Sequence, residues 1–256
     1  MTSYPIGAQM YSVRTLTQTP EGLLNALKEL KAMGYNLMQY SGAGKDIPAE
    51  CFAEYLQETG TTCGSTHISF QEMEEDLDKV IRNHKLWKCS YPGIGGLPGE
   101  YRDSKEGFLT FAKKADAIAE KLLDEGMHFV YHNHAFEFAK FDGVPALQIL
   151  MENTKYMQFE LDLFWVQAGG GSPLDWIKKV EGRMDVVHFK EMTGAPKPVL
   201  MAPIGEGNMN WPALMKACDE IGVKMAFVEQ DNAVESDPLK CMKTSHDNLV
   251  KMGGKF

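Results

Sequence analysis

The chain has 256 residues, 44% of them hydrophobic and 24% charged, with a formal net charge of −9. This is globular composition with enough apolar residues for a sizeable core, and the acidity opposes binding to phosphate polymers, because Lys and Arg are scattered apart from Lys113-Lys114 and Lys178-Lys179 inside helical patterns. Cys51, Cys63, Cys89, Cys218 and Cys241 are odd in number and lack C-x-x-C spacing, which argues against a disulfide framework or zinc knuckle, and no leader-like start or run of about 18 apolar residues occurs, so a cytoplasmic protein with no membrane or nucleic-acid partner is expected.

In chain order, β-prone runs fall near 5–11, 36–41, 62–68, 87–92, 127–134, 157–163, 184–190 and 224–230, with helical patterns between them. Gly34, Gly60, Gly126, Gly182 and Gly222 each close a helical stretch just before a strand, where a left-handed residue ends a helix. Eight alternating units predict parallel strands closed into a (β/α)₈ TIM barrel, one domain over 1–256, close to the roughly 250 residues such barrels use. A doubly wound open sheet is the alternative. It calls for a Gly-rich turn after the first strand, where this chain has Tyr11-Ser12-Val13-Arg14. The Gly-rich segment 91–101 contains Pro92 and Pro98 and reads as a mobile βα loop rather than a phosphate cradle.

A barrel of this type carries its chemistry at the C-terminal ends of its strands, so polar residues that close apolar strands are the ones to weigh. The fifth strand closes on His132-Asn133-His134 with Glu137 following, the sixth on Glu160-Leu161-Asp162, the seventh on His188-Phe189-Lys190, and the eighth on Glu229-Gln230-Asp231. Strand alternation turns the two outer residues of each triplet to one face. A single Asp or His at such a place is most often a helix cap or a satisfied core group, but four successive strands with the feature are not explained that way. Grouped carboxylates repel one another without a cation, and carboxylate with imidazole suits one divalent ion such as Mn²⁺, Co²⁺, Mg²⁺ or Zn²⁺. Gln9, Arg14 and His67 lie at other strand ends as candidate substrate contacts, Arg14 as an anchor for a hydroxyl, carboxylate or phosphate. Trp165, with Phe136 and Phe164, is a candidate apolar wall for a sugar ring.

These residues resemble the xylose-isomerase-like TIM barrels, a family of sugar phosphate isomerases and epimerases that also includes inosose dehydratases, keto-sugar lyases and endonuclease IV. The similarity rests on GAQMYSVR at 7–14, VYHNHAFEF at 130–138, ELDLFWVQAGG at 160–170, VVHFKEM at 186–192, IGEGNMNWPAL at 204–214 and FVEQD at 227–231. It implies a single metal held by residues of strands five to eight, with Asp162, His188 and Glu229 matching three ligands. The family's strand-five Glu is replaced here by the YHNH motif of a subgroup, which leaves the fourth position to His132, a water or Glu137. The resemblance also implies a small sugar or sugar phosphate as substrate, and relatives often pair through the barrel mouth as homo-oligomers.

The chemistry this implies is metal-assisted proton abstraction next to a carbonyl through a stabilised enediolate, with Glu229 or His132 as base and Lys190 neutralising the oxyanion. His134, and Glu206 of the GEG loop, are then candidates to orient the substrate. Returning the proton gives an isomerase or epimerase; expelling a β-substituent from a keto-sugar, keto-glycoside or inosose gives a lyase or dehydratase. A repair nuclease would need further zinc ligands and a basic face. A barrel that only binds a sugar would not need Asp162, His188 and Glu229 together.

Overall fold

The computed structural model describes residues 1–194 and 200–256. Eight parallel strands close a barrel: β1 (Ile6–Gln9), β2 (Leu37–Tyr40), β3 (Thr62–Ile68), β4 (Pro92–Ile94), β5 (Val130–His132), β6 (Gln158–Asp162), β7 (Val186–Phe189) and β8 (Met225–Val228). Each strand pairs with the next in sequence, and β1 pairs with β8 to complete the ring. All five helix-ending glycines have positive φ, from 63° at Gly60 to 114° at Gly34. One expectation needs correction. The fourth strand lies at Pro92–Ile94 and not at 87–92, because the helix Leu77–Trp87 runs on to a left-handed Lys88 (φ 54°), and the first part of the Gly-rich segment is itself strand.

Alternation along the strands divides the side chains into two populations. Val187, Phe189, Phe159, Leu161 and Tyr131 point outward and pack beneath the surrounding helices in the main apolar core. Tyr91, Val130, Val186 and Phe227 form a separate apolar plug inside the barrel, with Leu37 and Met225 packed against it. The Phe227 ring needs Gly7 and Gly64 opposite it, since a Cβ on either would come within 2.9 Å of that ring. Burying such a ring contributes roughly 1.5–3 kcal/mol. Above the plug, the inward residues Gln39, Glu160, Asp162, His188 and His132 are polar and buried.

Most of the α-helices start on side-chain caps, the exceptions being Ala49–Thr59 and Ala146–Glu152, which start after prolines. Thr19, Ser69, Asp76, Ser104, Ser172, Asn210 and Asp237 each accept a hydrogen bond from a first-turn N–H. Two short antiparallel pairs sit on the mouth side, Lys140–Phe141 with Val144–Pro145 and Glu191–Thr193 with Leu200–Ala202. All five cysteines are free thiols. No described helix is long and apolar enough to cross a membrane.

Candidate metal centre and its cleft

The register of the last four strands brings their ends close together, with His132 beside Glu160, Asp162 beside His188 and His188 beside Phe227, two residues before Glu229. His132, Asp162, His188 and Glu229, all buried, each offer a donor atom, and these atoms lie within 4.8 Å of one another. His132 Nε2 is 3.1 Å from Asp162 Oδ2 and 3.9 Å from Glu229 Oε2. His188 Nδ1 is 3.8 Å and 2.9 Å from the same two oxygens. Donors about 2.0–2.2 Å from a shared ion are roughly 3–4 Å apart, so this set fits a first-row divalent ion with two imidazoles and two carboxylates. Asp162 serves twice, because its Oδ1 caps the helix Leu163–Ala168 through the N–H of Trp165 at 3.0 Å.

Lys190 is 1% exposed, and its ammonium lies 2.8 Å from both Asp162 Oδ2 and Glu229 Oε2 and 3.1 Å from Asp231 Oδ2. Burial works against its charge, but Asp162 and Glu229 outweigh burial and hold the lysine pKa well above normal. Burial pushes the Asp162 and Glu229 carboxyls up. The nearby Lys190 charge more than reverses this, helped at Glu229 by His188, so both stay well below the usual carboxylate range. Asp231 is raised to about 6 by burial and by Glu229. His132 is lowered by burial and by His188, which favours its neutral ring.

Beneath these donors runs a chain of hydrogen bonds whose directions are fixed from its ends. The Tyr11 N–H donates to Gln9 Oε1 at 3.0 Å, so the Gln9 amide nitrogen faces Gln39 Oε1 at 2.8 Å and His67 Nδ1 at 3.3 Å. His67 Nε2 then donates to Glu160 Oε2. Ser65 uses its hydrogen on Tyr91 O at 3.0 Å and must accept from Gln39 Nε2, which also donates to Glu160 Oε1 at 2.6 Å. Gln39 Oε1 is left as an acceptor 2.6 Å from His188 Nε2, which places the proton on Nε2 and leaves Nδ1 to the cluster.

The remaining residues singled out in the sequence take varied positions. His134 and Arg14 line a cleft of about 360 Å³ above the cluster, along with Tyr11, His67, Glu229 and Asp231. The His134 ring stacks on Phe136 at 5.6 Å and is lowered to about 3, mainly by burial. Trp165 is half-buried against His134, while Phe164 is core. Three expectations are corrected. Gln9 is fully buried in the chain below the donors and does not line the cleft. Glu137 does not join the donors, because the short turn Phe136–Phe138 folds its carboxylate back to accept from His134 N at 2.9 Å and from the Tyr131 hydroxyl at 2.6 Å; His132 stands in the fourth place. Glu206 is exposed and bonded to Asn248 at 2.9 Å, away from the cleft. The carboxylate organising the GEG loop is Glu191, which accepts from the N–H groups of Met192, Gly205 and Met209 and from the Trp211 indole.

Sequence reasoning missed Gln39, Glu191 and the part played by Asn133, whose Oδ1 accepts from Asp162 N at 3.1 Å. Gln39 closes β2 as the polar residue of Leu37-Met38-Gln39-Tyr40, so the rule applied to the later strands also points to it.

A search of curated proteins finds no significant match. Among solved structures, a sugar phosphate isomerase/epimerase from Parabacteroides distasonis superposes with a TM-score of 0.80 at 22% identity, covering 97% of this chain and 98% of that one. A xylose isomerase-like TIM barrel protein from Mycobacterium smegmatis in complex with magnesium gives 0.75 at 13% identity over 98% and 96%. The probable 3-DHS dehydratase AsbF from Bacillus anthracis gives 0.74 at 13% identity over 96% and 98%. These likenesses establish the fold; the family model for the xylose isomerase-like TIM barrel matches residues 27–244, and the chain therefore belongs to that family.

Proposed function

We propose that the chain is a divalent-metal-dependent sugar isomerase or epimerase that removes a proton next to a carbonyl and returns it to the same substrate. The observation that carries this reading is the convergence of His132 Nε2, Asp162 Oδ2, His188 Nδ1 and Glu229 Oε2 from four strands at the floor of a cleft. A bound ion supplies Lewis-acid polarisation of a substrate carbonyl and hydroxyl. Among the described residues, the contacts of Glu229 with Lys190, His188 and His132 all fall on Oε2. Oε1 is therefore the oxygen available to take a proton from a substrate in the cleft. Lys190, buried beside it, offsets negative charge as it develops on the substrate oxygen. His134, Arg14 and His67 line the walls that orient the sugar.

A second reading, a lyase or dehydratase acting on a keto-sugar, keto-glycoside or inosose, is favoured by His132. Epimerisation by a pair of carboxylates needs a second Glu where β5 ends, and this chain puts a buried imidazole there. One base suffices to move a proton between adjacent carbons or to start an elimination, and Glu229, having taken the proton, can pass it to the leaving group. The superposition on a probable dehydratase is compatible with that route. The test is removal of metal by a chelator, metal analysis, and readdition of Mn²⁺ or Co²⁺, with ketoses and keto-glycosides followed by NMR in D₂O. Deuterium gained at the carbon next to the carbonyl without loss of a substituent supports the isomerase. Full turnover in protein shown to be ion-free overturns both readings.

A further inference from the structure

We propose that this site takes an uncharged sugar glycoside rather than a sugar phosphate, with the reacting ring over the metal donors and the rest of the molecule in an adjoining cleft between the β2 and β3 loops. The inference rests on the sugar-processing reading above and specifies its substrate class.

A phosphate ester needs unengaged cations or converging backbone N–H groups. Barrels of this type usually supply them from the loops after strands seven and eight and the start of a short extra helix. In this chain both places hold carboxylates. After β7, the side chain of Glu191, fully buried, takes the loop N–H groups of Met192, Gly205 and Met209 for itself. After β8, the short helix Asp231–Glu235 begins on Asp231, which lines the cleft. Among the described residues, the cations of the cleft are also engaged. Lys190 is shared by Asp162, Glu229 and Asp231. Arg14 donates to Tyr11 O at 2.9 Å and twice to Asp231 O at 3.1 Å, with its guanidinium 4.1 Å over the Tyr11 ring. Bringing a dianion past Asp231 and Glu229 therefore costs electrostatic energy, against which the described cleft sets only Arg14, whose donors are already committed to backbone carbonyls.

Size points the same way. The central cleft, at about 360 Å³, is near the lower end of the roughly 300–1,000 Å³ usual for ligand pockets, which suits one ring. It shares the Ser41 and His67 wall with a cleft of about 840 Å³ that reaches Tyr40, Trp87 and Asn83. The half-buried Tyr40 and the rim of Trp87, which is otherwise packed on Phe52 and His84, stand beside polar groups there and suit a second sugar ring or an aglycone. Its Lys79 is paired with Glu72 at 2.9 Å, and Lys45 stands beside Asp46 and near Glu50, so this cleft too has no net positive charge to offer a phosphate.

The test is isothermal titration of the Mn²⁺-loaded protein with matched sets of compounds: a hexose or hexulose, its 6-phosphate and a disaccharide carrying the same ring. The expected result is disaccharide binding at least tenfold tighter than the single ring, with the phosphate no tighter than the single ring. Asn83→Trp, which fills the adjoining cleft from the helix Leu77–Trp87, is expected to bring the disaccharide-to-monosaccharide ratio close to one without lowering Tm. Tighter binding of the phosphate, or a ratio near one in the unaltered protein, overturns the inference and leaves the sugar-processing reading standing. Normal metal binding with no binding of any sugar overturns both.

Discussion

Gln39→Leu is the substitution that most directly tests how the donor set is held. The Gln39 side chain touches no expected substrate position; it accepts from His188 Nε2 at 2.6 Å and from Gln9 at 2.8 Å and donates to Glu160 at 2.6 Å. Leucine leaves these buried groups without a partner, at about 1–3 kcal/mol each where nothing replaces it. It also frees His188 to rotate or to move its proton to Nδ1, which removes the lone pair an ion needs. Loss of such a supporting partner typically weakens metal binding about 10–100-fold, or about 1.4–2.8 kcal/mol. Calorimetric titration of metal-stripped protein with Mn²⁺ measures this directly. Leu27→Ala is the control, since Leu27 is a fully buried core residue of the helix Pro20–Met33, remote from the donors. It is expected to cost about 2–5 kcal/mol of stability and leave ion affinity unchanged. If Gln39→Leu binds Mn²⁺ as tightly as the unaltered protein, the assigned proton position on His188 is wrong.

Two other predictions concern charge. Lys190→Met leaves Asp162 and Glu229 without their 2.8 Å cation, so the metal-free variant is expected to lose about 3–5 kcal/mol while Mn²⁺ restores much of it. The Mn²⁺-induced rise in Tm is then larger in the variant than in the unaltered protein, and equal rises would contradict the shared role of those oxygens. Burial raises the Glu137 carboxyl from 4.5 to about 7, so the native state keeps a proton that the unfolded chain releases between those values. That residue's contribution to stability therefore falls as pH rises from about 4.5 to 7, by up to about 3 kcal/mol at 1.36 kcal/mol per unit. Glu137→Gln is expected to flatten this dependence in urea melts at pH 5 and 7.5; an unchanged dependence would show that the carboxyl is ionised throughout.

The barrel and its donors were readable from sequence for one reason. In a closed parallel barrel the strand ends share a height, so a local feature, a polar residue after an apolar run, fixes a position in space for Asp162, His188, Glu229 and His132 alike. The positions read wrongly depend on contacts distant in sequence or on the path of a turn. Glu206 is drawn outward by Asn248, and Gln9 is held down by Gln39, thirty residues away. Glu137 is folded back by a three-residue turn that no periodicity announces. The fourth strand was displaced because Pro92 and Gly93 look like loop, although a strand only three residues long tolerates both.

The plug and the polar layer also explain why the site cannot be altered one residue at a time. Tyr91, Val130, Val186 and Phe227 seal the barrel from below, so the charges above them cannot be relieved by water from that side. They are cancelled by one another or by a cation arriving from the cleft. His188 is held protonated by Glu160 and Glu229 against the cost of burial, and Lys190 is held by Asp162 and Glu229. An ion placed among the same oxygens takes over part of that work. It would free His188 to be a neutral ligand, and the proton released would make metal binding tighter as pH rises. The folded state without metal and a state with it would therefore be two ways of balancing the same four carboxylates, Glu160, Asp162, Glu229 and Asp231. Removing any one of them shifts stability and ion affinity together.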